Sequence, residues 1–120
     1  MAEQIRIFLV DDSSLVRDML TKSLSLPEHE LIITGTAIHG QDALEKLRSL
    51  EVDVVITDME MPVMNGLDFI RTTMAYDPLP IIVLSSWAQN DKNITLQALE
   101  AGAVDFIPKP SALNPQGFQE

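Results

Sequence analysis

Apolar runs and helix-period stretches alternate along the whole chain. Ile5-Arg6-Ile7-Phe8-Leu9-Val10 opens as an apolar run and stops at Asp11-Asp12. Similar short runs fall at residues 31–36, 53–57, 80–84 and 104–107. Short apolar runs bounded by turn residues read as buried strands of a parallel sheet. Between them the apolar residues recur at helical spacing. Val16, Met19, Leu20 and Leu24 mark a first helix, capped by Ser13 or Ser14 and closed before Pro27. Ala43, Leu44 and Leu47 mark a second helix over residues 41 to about 50. Leu67, Ile70 and Met74 mark a third, from near Asn65-Gly66 to a stop before Pro78. A fourth runs over about 91–101, with Gly102 as its terminator.

Strict alternation of strand and helix implies parallel strands joined by right-handed crossovers. At 120 residues the expected fold is α/β, a flavodoxin-like doubly wound five-stranded sheet in the order 2-1-3-4-5. The whole chain, 1–120, reads as a single domain, with a core over about 5–110 and a tail over 111–120. In that topology the first helix lies alone on one face and the next three lie on the other. A fifth helix is expected beside the first and is missing: Pro115 and Gly117 interrupt the tail, which offers only Leu113 and Phe118 as large apolar groups. The chain is therefore expected to be a fragment, with an apolar patch on that face and either dimerisation through it or a loosely folded tail; in the parent protein, residues beyond 120 would supply the helix.

The stretch Val54-Val55-Ile56-Thr57-Asp58-Met59-Glu60-Met61-Pro62-Val63-Met64-Asn65-Gly66 carries the chemistry. Asp58 ends an interior strand, where ligands bind in open α/β sheets. Neighbouring strands lie about 4.8 Å apart, so Asp11, Asp12, Asp58 and Ser85 share one sheet edge. Lys109 starts about 10 Å from the strand of Asp58 on that spacing, a distance its stem can largely cover. Three clustered carboxylates repel one another unless a cation binds or a proton is taken up. Hard oxygen ligands with an open face for a phosphate describe Mg²⁺. The fitting reaction is phosphoryl transfer to Asp58 as nucleophile, with Lys109 and Ser85 as further partners of the phosphoryl oxygens. Asp12 is the expected direct metal ligand and Asp11 a partner through water.

Composition narrows the partners. The formal net charge is −10, from 18 acids and 8 bases, which disfavours nucleic acid and anionic membranes. There is no cysteine, so disulfides and thiolate metal sites are excluded. No leader pattern opens the chain and no run approaches 18 apolar residues, so a cytoplasmic location is expected. His29 and His39 share no metal-like spacing and read as surface positions. Met61, Met64 and Met74 read as packing residues, and no glycine-rich phosphate loop is present.

The set Val10-Asp11-Asp12-Ser13, Asp58 through Gly66, the Ser85 strand end, Gly102-Ala103 and Lys109-Pro110 resembles the receiver domains of two-component response regulators. Within that family it looks most like the receiver of chemotaxis protein-glutamate methylesterases. The resemblance implies Asp58 as phospho-acceptor, Asp11 and Asp12 as metal acids, and the backbone carbonyl of Glu60 as a further Mg²⁺ ligand. It implies Ser85 as switch hydroxyl, Phe106 as switch aromatic in place of the commoner Tyr, and Lys109 as phosphate-binding lysine. It also implies a cis Lys109-Pro110 bond, a sensor histidine kinase as donor, and an effector domain, attached or separate, as reader. Any methylesterase activity would lie in a further domain. Two other readings fit the acids: an aspartate-nucleophile phosphatase, against which stand Glu60 two positions on and the lack of a cap, and a non-phosphorylated scaffold.

Overall fold

A computed structural model describes residues 4–85 and 92–109. Five strands, β1 (Ile5–Val10), β2 (Leu31–Ala37), β3 (Val54–Asp58), β4 (Ile81–Ser85) and β5 (Asp105–Pro108), alternate with α1 (Ser14–Leu24), α2 (Gly40–Leu47), α3 (Gly66–Tyr76) and α4 (Lys92–Ala101). The sheet runs β2-β1-β3-β4-β5, and every pair is parallel. This is the expected flavodoxin-like order.

Side chains alternate across a strand, so each strand feeds two cores. Phe8, Val10, Val55, Ile81 and Val83 pack with Ala43 of α2, Phe69 and Ile70 of α3, and Ala98 of α4. On the opposite face Ile7, Leu9, Ile56 and Leu84 pack with Val16 and Leu20 of α1. Met61, Met64 and Met74 lie against the larger core, as packing residues. Among the described residues α1 alone covers its face. The expectations for the Lys109-Pro110 bond and the tail fall outside the described residues.

Local chemistry sets the helix ends. Ser13 is the cap of α1, its Oγ accepting the Val16 N–H at 3.2 Å. Asn65 caps α3, its Oδ1 accepting the Asp68 N–H at 2.9 Å. Gly102 closes α4 at φ 127°, a backbone state that favours glycine. There the Ala103 N–H reaches back to the Ala98 carbonyl at 3.0 Å, the long reverse bond of a Schellman end.

Several expectations need correction. The second helix stops at Leu47, not near Leu50. The Ser49 N–H turns back to the Lys46 carbonyl at 3.2 Å, and the chain leaves the helix there to reach β3. Phe69, not Leu67 or Met74, is the fully buried anchor of α3 beside Ile70. A 3-10 turn at Pro27–His29, closed by Glu30 at φ 55°, precedes β2. β4 and β5 each sit one residue later than expected. His39 is a half-buried cap rather than a surface residue: its Nδ1 accepts the Asp42 N–H at 3.1 Å.

Candidate functional site

Sheet register brings the predicted residues together. Val10 pairs with Thr57, so Asp11, just past β1, lies level with Asp58 at the end of β3. Asp58 pairs with Leu84, and Ser85 follows one residue on. Ser85 pairs with Pro108, and the Lys109 N–H donates to the Ser85 carbonyl at 2.8 Å. That bond fixes where the lysine stem leaves β5. The stem then crosses back over β4, and Nζ donates to Asp58 Oδ2 at 3.0 Å. Nζ also stands 3.4 Å from Asp11 Oδ2. The span estimated from strand spacing is thus closed by the side chain.

Asp11 and Asp12 have different surroundings. Asp11 is fully buried, and its Oδ1 accepts the Ser13 N–H at 2.8 Å. Its Oδ2 is buried with no hydrogen bond; Lys109 is near enough for attraction but not aligned as a donor. Asp12 is exposed and lines a cleft of about 240 Å³ with Asp58, Glu60, Ser85 and Lys109. Met59, Ile94 and Thr95 complete much of the wall. Phe106 is not part of this lining and stands 47% exposed on β5, an outward position for the expected switch aromatic.

Electrostatics follow from burial. Burial pushes the Asp11 carboxyl up to about 6, with the Asp58 charge adding to it and the Ser13 N–H and Lys109 opposing it. Asp58 is raised too, first by burial, against the pull of Lys109 and the Met59 and Glu60 N–H groups. Burial alone would lower Lys109, yet its bond to Asp58 and the charge of Asp11 outweigh that and raise it. Two buried acids share one ammonium, so the site holds excess negative charge.

The donor set suits a hard cation. Asp11, Asp12 and Asp58 each offer a carboxylate oxygen, all within 4.8 Å of one another. Oxygens bound at about 2.1 Å to one Mg²⁺ lie at most about 4.2 Å apart, so small side-chain movements close the set. The unbonded Asp11 Oδ2 is the buried acceptor such a cation or its water would satisfy.

The sequence family described as "Response regulator receiver domain" matches residues 7–115. The chain belongs to this family. A protein-glutamate methylesterase/protein-glutamine glutaminase of Bacillus licheniformis is 48% identical to this receiver domain over 107 residues, covering 89% of the chain and 30% of the relative. The receiver domain thus spans under a third of that relative's length. The crystal structure of the response regulator domain of Thermotoga maritima CheB superposes with a TM-score of 0.83 at 36% identity, covering 98% of this chain and 87% of that one. The CheX-CheY-BeF3-Mg complex of Borrelia burgdorferi superposes with a TM-score of 0.79 at 27% identity, over 91% of this chain and 81% of that one.

Arg17, which is not among the expected site residues, braces the loop that carries Asp11 and Asp12. Its Nη1 donates to the Asp11 carbonyl at 2.6 Å, tying down the peptide between the two acids. The signal was available: helical side chains lean toward the N-terminus, so an arginine in the first turn of α1 reaches back over the loop before it. The Met59 N–H, which donates to Asp58 Oδ1 at 2.8 Å, was also missed, because backbone donors leave no trace in composition.

Proposed function

We propose that this receiver domain accepts a phosphoryl group on Asp58 from the phosphohistidine of a sensor histidine kinase, with Mg²⁺ bound by Asp11, Asp12, Asp58 and the Glu60 carbonyl. The observation that carries this reading is the Lys109 ammonium held between two buried carboxylates, 3.0 Å from Asp58 and 3.4 Å from Asp11. In the reaction an Asp58 carboxylate oxygen forms a bond to phosphorus. The bond from phosphorus to the imidazole nitrogen breaks, and its electron pair leaves with the imidazole. Lys109 then shifts from the carboxylate to a phosphoryl oxygen, and the Ser85 hydroxyl donates to another. Mg²⁺, when bound, offsets charge on the equatorial phosphoryl oxygens. Arg17 and the Ser13 N–H keep Asp11 in place, and Asp12 supplies the exposed ligand.

Exposed Asp12 and Glu60 at the cleft mouth favour a donor carried on another protein over a small substrate that must be enclosed. Phosphorylation would draw Ser85 inward and let Phe106 follow from its exposed position. The reader would be an effector domain, and the kinship with methylesterases supports a methylesterase-type output in a cytoplasmic chemotaxis pathway. Among the described residues no helix is long and apolar enough to cross a membrane.

Incubation with acetyl phosphate followed by intact-mass measurement tests this reading. The expected product is one phosphoryl group per chain with Mg²⁺ and none with chelator. A chain left unphosphorylated with Mg²⁺ present, or release of many phosphates per chain without a phosphorylated species, would overturn it in favour of a scaffold or a phosphatase.

A further inference from the structure

A second cleft, of about 310 Å³, lies between α2 and α3, at the ends of the helices remote from the acid site. Its apolar wall is built by Leu44 and Leu47 of α2 and by Leu79 beyond α3. Thr73 also lines it. That residue is only 4% exposed, and its Oγ1 is buried with no hydrogen bond. A threonine in a helix ordinarily turns its hydroxyl to a carbonyl one turn back, so the unpartnered group is conspicuous. An unpaired buried hydroxyl destabilises the fold unless something supplies the bond. We propose that this cleft is a binding site for a small organic cation, an amine on an apolar body about the size of a phenyl ring.

Size, sign and geometry all point to that class. The volume is at the lower end of ligand pockets, roughly 300–1,000 Å³. The C-termini of α2 and α3 both point to this side, and each carries a partial negative charge of roughly half a unit. The last turn of α3 contains no basic residue and ends on Asp77, which lines the cleft. Arg48, which also lines the cleft, and Lys46 in the last turn of α2 offset the end of that helix, so the uncompensated negative charge is that of Asp77 and the α3 end. Tyr76 lines the same end and is 85% exposed, so its ring face is open to an ammonium group. Once the Thr73 side chain turns toward the cleft, its hydroxyl would accept from the ammonium while the apolar body covers the leucines.

Three probes of one shape test the proposal by amide chemical-shift titration of the whole chain: phenethylamine, 2-phenylethanol and phenylacetate. The expected result is saturable shifts at Leu47, Thr73 and Leu79, with the amine bound at least fivefold tighter than the carboxylate. Asp77→Asn should bring the amine to within twofold of the alcohol. Thr73→Val, which replaces the hydroxyl with a methyl group of similar size, should weaken amine and alcohol alike by threefold or more. Absence of saturable shifts in the unaltered protein, or equal binding of amine and carboxylate, would overturn the proposal. Titrations unchanged by Thr73→Val would do the same.

Discussion

In the proposed reaction Asp11 and Lys109 set the difference between the metal-free and the metal-bound site. The Asp11 carboxyl is raised in the folded chain to about 6 from an ordinary 3.8. An acid with a raised folded value binds its proton more tightly when folded, so its ionisation weakens the fold. Stability without metal should therefore rise as pH falls from about 6 to 4, by up to about 3 kcal/mol at 1.36 kcal/mol for each unit. Mg²⁺ competes with that proton, so the stabilisation it confers should be full above pH 7 and fade below 6. Thermal melting across pH 4–8, with and without Mg²⁺, checks both trends. A metal-free chain that loses stability between pH 6 and 4 would show that Asp11 is not held as described. The identity of the acids was legible in the sequence because each ends an apolar run. Their inequality was legible only in part. Strand alternation suggested that Asp11 and Asp12 differ, but the burial of Asp11 depends on Arg17 and the Ser13 N–H, contacts that spacing does not display.

The element that translates the site into the fold is the loop from β3 to α3. Gly66 sits where a Cβ would lie 2.3 Å from the Asp58 carbonyl oxygen and 2.7 Å from the Met59 Cα. Its N–H donates to the Met59 carbonyl at 2.9 Å, so α3 begins pressed against the end of β3. Backbone atoms cannot step aside as a side-chain tip can. Gly66→Ala should therefore cost about 2–4 kcal/mol, within the range of strongly destabilising single changes, and should weaken Mg²⁺ binding as Asp58 shifts. Urea denaturation and metal titration measure the two effects; a loss below 1 kcal/mol would contradict the close approach. Asn65-Gly66 announced a turn in the sequence. What it did not announce is Val63, which stands at φ 65° and 79% exposed. The Met64 N–H bonds to the Pro62 carbonyl at 2.7 Å across it, the strained form of a γ-turn. A β-branched residue there runs against local preference, so local rules could not place it. The early end of α2 escaped for a related reason: Leu50 fits the helical stripe, but the backbone turn at Ser49 overrides it.

At the scale of the molecule, strand order was the most legible feature. Five apolar runs separated by helical stretches leave few right-handed arrangements, and 2-1-3-4-5 is the order found. That order alone brings Asp11, Asp58, Ser85 and Lys109 to one edge. The cleft between α2 and α3 was not legible, because it depends on how two helices from separate crossovers lean on one another. At that edge Asp58 itself is proposed to carry the phosphoryl group. The direct measurement is borohydride reduction of the chain after incubation with acetyl phosphate and Mg²⁺, followed by peptide sequencing. Reduction converts an aspartyl phosphate to homoserine, so homoserine should stand at position 58 and nowhere else. Homoserine at position 11 or 12, or an unaltered aspartate at 58 in a chain that carries phosphate, would contradict the account.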